Sequence, residues 1–175
     1  QALFKDNTTR ADKHRKDLLA ALHARPNIRR LSRNTVMLTA LAVVHWNEER
    51  LPEQRAELYE YILGWLAQSR EQRLGRPLPE RTLEILRELA LAMQLHPDGR
   101  QVQVPRRWAA EQIAGAFGDP KNHAVVDKAE HYLEEEEIDS GIVVARGHDI
   151  RFWHLTFQEY LAGRAVGGRG EAEQR

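Results

Sequence analysis

Between Leu83 and Trp153 the chain switches between helical and strand periodicity in one fixed order, and that order leaves few folds open. Leu83, Leu86, Leu89, Ala90 and Met93 recur at three- and four-residue spacing, the mark of a helix with one apolar face, ending near His96-Pro97-Asp98-Gly99. Gln101 to Val104, QVQV, alternates as a short strand. Pro105 opens a second helix carrying Trp108, Ile113 and Phe117, closed by Gly118-Asp119-Pro120. Val125, Val126, Ala129, Tyr132 and Leu133 share the face of a third helix. Ile142 to Ala145 and Ile150 to Trp153 then read as a hairpin around Arg146-Gly147-His148-Asp149.

Helix, strand, helix, helix, strand, strand is the element order of a winged helix, a helix-turn-helix variant with an attached β-ribbon. Upstream the pattern is purely helical. Thr9 to Ala24 reads as an amphipathic helix on Ala11, Leu18, Leu19 and Leu22, stopped before Pro26. The apolar run from Val36 to Val44 is rich in Leu and Ala and reads as a buried helix. Leu51-Pro52-Glu53 starts another, with Leu58, Ile62, Trp65 and Leu66 inward. Leu74 to Glu80, LGRPLPE, packs two prolines and a glycine into seven residues and is the expected domain boundary. The expected fold is therefore mainly α. A helical bundle over residues 1–78 precedes a winged-helix domain with a small β-hairpin over 79–166, and 167–175 is a linker or truncated tail.

Composition narrows the chemistry. There are no cysteines, so disulfides and thiolate metal sites are excluded. Nothing approaches the roughly 18 uninterrupted apolar residues of a membrane span. The first residues, QALFKD, lack signal-peptide architecture, so a cytoplasmic location is expected. The eight histidines form neither HxH nor HExxH, and no metal site is expected. GxSxG and GxxxxGK[ST] are also missing, so no catalytic residue is assigned and these 175 residues hold no phosphate-cradling loop. Trp46, Trp65, Trp108 and Trp153 read as core or half-buried anchors.

A winged helix raises the question of nucleic acid. The helix that would enter the major groove, Lys121 to Glu137, has two lysines against six acids, net −4, and phosphates would be repelled. The whole chain balances 26 basic against 26 acidic residues. Nucleic acid is thus disfavoured as a partner, and the run Glu134 to Glu137 reads as the solvated end of a helix.

The stretch IRFWHLTFQEYLAGRA, Ile150 to Ala165, changes from strand to helix at His154. Thr156-x-x-Glu159 reads as a capping box. Helix N-termini favour anions, so a histidine placed there is suited to help hold a phosphate, as the far wall of a site built elsewhere.

Three segments resemble the NACHT-type branch of the STAND nucleotide-switch ATPases: IRRLSRNTVMLTALAVVH from Ile28, RLPEQRAELYEYIL from Arg50, and RFWHLTFQEYLAGRA from Arg151. They span about residues 26–166. The resemblance implies the first helical domain plus the winged helix of a signalling ATPase acting in innate immunity or defence. In such proteins the histidine at the position of His154 contacts the ADP phosphates and holds a closed, autoinhibited state. Asn34 matches the Asn of an Asn-Pro motif next to the adenine, with Thr35 in place of the proline. ADP or ATP, with Mg²⁺, would be bound mainly by an upstream P-loop core of the same protein. That core would supply the ATPase activity this segment lacks, and exchange would lead to homo-oligomerisation. The alternatives are a winged-helix nucleic-acid-binding module and a structural interaction module without nucleotide dependence.

Overall fold

The computed structural model describes the backbone of residues 2–48, 50–74, 80–139 and 141–173, and the side chains of 9–35, 37–48, 50–66, 81–135 and 141–168. Contacts divide the chain into two compact units, 1–62 and 63–175. The expected linker, Leu74 to Glu80, falls largely on residues 75–79, outside the described residues.

The first unit is helical throughout. Helix α1 (Ala2–Ala24) starts seven residues before the expected Thr9 and leads into the single turn α2 (Pro26–Arg29) and a 3₁₀ turn at Leu31–Arg33. Helix α3 (Thr35–Glu48) follows, and α4 (Arg55–Leu74) begins here and runs into the second unit. The apolar run was rightly read as a helix. Met37, Ala40, Leu41 and Val44 are buried at i, i+3, i+4 and i+7, one stripe of an α-helix. Leu18 and Leu22 of α1 are buried, with Ile28, Leu51, Leu58 and Ile62, whereas Leu19 is exposed. Helix α4 starts later than Leu51-Pro52-Glu53 suggested, and Glu53 instead receives the Arg25 guanidinium at 2.8 Å.

The second unit follows the expected order: α5 (Glu80–Gln94), β1 (Val104–Pro105), α6 (Arg106–Ile113), a 3₁₀ turn at Ala114–Ala116, α7 (His123–Asp139), β2 (Val143–Arg146), β3 (Asp149–Phe152) and α8 (Leu155–Glu173). The three strands form an antiparallel sheet in the order β1-β3-β2, with Val104 opposite Ile150 and Val143 opposite Phe152. Gly147 at φ +67° makes the two-residue wing turn that sets Arg146 opposite Asp149. The strand expected at Gln101–Val104 is reduced to Val104–Pro105. Gln101 is held otherwise, its N–H donating to the Met93 carbonyl at 2.9 Å.

The turn between α6 and α7 is local chemistry. Gly118 has φ +152°, and a Cβ there would sit 3.1 Å from Val125 Cγ2, so a side chain is strained at this point. Asp119 Oδ1 accepts from the Lys121 N–H, and Asn122 Oδ1 caps α7 by accepting from the Ala124 N–H, both at 3.0 Å. Leu86, Leu89, Ala90 and Met93 of α5 are buried, as are Phe157, Leu161 and Ala165 of α8, and these two helices form the most extensive helix pair in the unit. Ala109, Ala110 and Ile113 of α6 and Val126, Ala129 and Leu133 of α7 complete the core.

Helix α8 carries glycines at 163, 167, 168 and 170. A Cβ built on Gly163, Gly167 or Gly168 meets nothing within 4 Å, so packing does not require these glycines. Gly163→Ala is expected to stabilise the chain by about 0.5–1 kcal/mol, read as a higher thermal midpoint with increased helical circular dichroism. A lower midpoint would mean that the glycine relieves a constraint that open space around its Cβ does not reveal.

Candidate functional site

The strand-to-helix junction is built residue by residue. Phe152 ends β3 buried against the sheet, and the Trp153 N–H donates to the Ile142 carbonyl at 2.9 Å, holding the chain extended for one more step. His154 then turns the backbone, half-buried, and α8 begins at Leu155. Its carbonyl accepts from the Phe157 N–H at 3.0 Å, and its ring folds back over the helix start. Nδ1 lies 3.3 Å from the Thr156 backbone nitrogen and 2.8 Å from Thr156 Oγ1. A backbone N–H has a fixed direction and can only donate, so Nδ1 accepts, and the rotatable hydroxyl donates to it as well. With Nδ1 accepting, the proton of the neutral ring is assigned to Nε2.

This corrects the capping box. His154, not Thr156, is the N-cap: its ring nitrogen satisfies the second N–H of the helix, a task usually given to a short side-chain oxygen. Glu159 does not close back on the cap and instead pairs with Arg100 at 3.1 Å. Both side chains are about half exposed, so this pair contributes little to stability. A second expectation is also corrected. The start of α8 is not a row of bare donors, because the Thr156 and Phe157 N–H groups are both bonded within the junction. An anion arriving here would meet the helix dipole and the imidazole N–H.

Two neighbours fix the ring. Phe157 is fully buried, and the His154 imidazole meets it edge-on at a centroid distance of 6.1 Å. Trp153 lies 6.1 Å from Phe157 and remains 37% exposed, and Trp46 and Trp65 are likewise exposed rather than core. Sequence reasoning passed over Gln158. It is buried, and its Nε2 donates to the Gln101 carbonyl at 2.8 Å, tying α8 to the loop after α5. An amide inside an otherwise apolar helix face was the available signal.

Asn34 and Thr35 belong to the first unit. Asn34 Oδ1 accepts from the Met37 N–H at 3.2 Å, so Asn34 is the N-cap of α3. Thr35 occupies the first helical position, where proline is favoured because that N–H has no partner in the helix. Among the described residues no group of three or more His, Asp or Glu is placed to hold a metal ion, and no helix is long and apolar enough to cross a membrane.

Both arginines of α6 are already paired with acids of α7. Arg107 of α6 reaches Asp127 at 2.5 Å and Glu130 at 2.9 Å on α7, and Arg106 reaches Glu134 at 3.5 Å. The hydrogen bonds that Arg107 donates to Asp127 and then to Glu130 hold its guanidinium above its ordinary pKa. The chain is expected to leave duplex DNA unshifted in a mobility assay at about 50 mM salt, the regime that favours phosphate contacts. Retention that weakens as salt rises would restore the nucleic-acid reading.

A family model for the winged helix-turn-helix domain C-terminal to NACHT matches residues 37–166 of the 175. The chain belongs to this family. No curated protein and no solved structure matches it at a significant level. His154 and its junction lie inside the matched span of this NACHT-associated winged helix, whereas Asn34 and Thr35 precede it.

Proposed function

We propose that this NACHT-associated winged helix is the regulatory part of a nucleotide-switch ATPase, and that His154 contacts a phosphate of ADP bound by the NACHT core. The observation that carries the reading is the occupied Nδ1. With that nitrogen accepting from Thr156, the proton of the neutral ring is assigned to Nε2, and the ring stands at the positive end of α8. The residues fit the group: a neutral imidazole N–H donates to a phosphate oxygen without needing a charge of its own.

In this scheme the winged helix binds ADP in the resting arrangement and loses that contact on exchange. The free-energy difference between the two is what biases the switch. Asn34 and Thr35 remain proposed neighbours of the adenine, with Asn34 acting first as the cap of α3. Homo-oligomerisation after exchange and a cytoplasmic setting belong to the same proposal. The test is the rate at which a fluorescent ADP leaves the protein that carries this segment together with its NACHT core. His154→Asn is expected to speed release by about 10-fold or more, the equivalent of one hydrogen bond to a charged group. An unchanged rate in a folded variant would remove His154 from the nucleotide site.

A further inference from the structure

A cavity lies in the winged helix away from the His154 junction, and its chemistry differs from that of the junction. It encloses about 650 Å³, within the usual size range of small-molecule sites. Its floor is Ile85 of α5, Ile113 and Ala116 after α6, and Ala165 of α8. It opens because small residues meet there, Gly115 and Ala116 on one wall and Ala165 and Gly168 on the other. It faces the C-terminal half of α8, ten or more residues along the helix from His154.

Three arginines, Arg81, Arg87 and Arg164, line the cavity against two acids, Glu84 and Glu88. Arg81 is engaged, its guanidinium donating to the Ala116 carbonyl. Arg87 differs: its Nε is buried and has no hydrogen-bond partner among the described residues. That atom lies behind the cavity lining, whereas the side chain as a whole is half-buried, and the outer edge of its guanidinium matches a planar two-oxygen anion in the cavity. We infer that this cavity binds a small amphipathic carboxylate, its apolar body over Ile85, Ile113 and Ala165 and its carboxylate against the Arg87 guanidinium. The cavity would accept such a ligand whether or not His154 contacts nucleotide.

The probe pair is octanoate and octanamide, which share a chain and differ in charge, titrated into the full chain and followed by amide chemical shifts. Octanoate is expected to bind saturably, with shifts centred on α5 and α8, and at least about tenfold tighter than the amide, since charge-assisted pairing with arginine is the stronger bond. Arg87→Gln is expected to erase that difference. Gly168→Leu is expected to abolish binding of both probes by filling the cavity, and the open space around a Cβ at 168 predicts that it folds. Absent saturable binding, or equal affinity for both probes, or octanoate affinity untouched in Arg87→Gln, would each overturn the inference. If Gly168→Leu fails to fold, the two probes and Arg87→Gln still decide it.

Discussion

Phe157→Ala is expected to cost the winged helix about 3–5 kcal/mol, the range for removing a fully buried phenyl ring. The ring is 0% exposed and lies in the first turn of α8, with the imidazole of His154 and the indole of Trp153 each about 6 Å from its centre. Alanine would leave a void between the strongest helix pair of the unit and the base of the hairpin, and the two aromatic neighbours would lose the surface that orients them. Urea denaturation is the measurement. A loss below about 1 kcal/mol would mean that α5 and α8 collapse onto the gap, and that the junction is less rigidly packed than its burial implies.

The second large effect separates two roles of one imidazole. As the cap of α8, His154 should be replaceable by asparagine, whose short side chain satisfies the same N–H, and not by alanine. His154→Ala is therefore expected to lose about 0.5–2 kcal/mol of stability, and His154→Asn a few tenths at most. Under the proposed nucleotide role the pattern differs, because neither substitute places a donor where Nε2 stands. Both variants should release ADP about ten to a hundred times faster, although only one is destabilised. If ADP release instead followed stability, fast in alanine and normal in asparagine, the cap alone would account for the histidine and the phosphate contact would be wrong.

The winged-helix order was legible because each of its signals is local. Leu86, Leu89, Ala90 and Met93 mark α5 by spacing alone, and Gly118-Asp119-Pro120 terminates one helix and positions the next. The position of His154 was legible for the same reason, as the residue at which strand periodicity gives way to helix. Its role as a cap was not, because a nearby Thr-x-x-Glu spacing fits the usual cap so well. Only the fold of the ring over the Thr156 N–H distinguishes the two. The shortened β1 and the task of Gln158 were hidden for a different reason. Both depend on Gln101, whose N–H and carbonyl are claimed by Met93 and Gln158, residues separated from it by eight positions along the chain in one case and 57 in the other.

The glycines of α8 have a mechanical consequence. The helix is firm where it starts, capped by His154 and anchored by Phe157 and Leu161, and intrinsically poor in propensity from Gly163 to Gly170. A pull applied beyond that stretch would unravel it before it disturbed the capped end. Eight residues passing from helix to extended chain lengthen by about 14 Å, from 1.5 to roughly 3.3 Å each. Under such a pull helix α8 is expected to give up length first from its glycine-rich end, while the histidine at the other end stays in register.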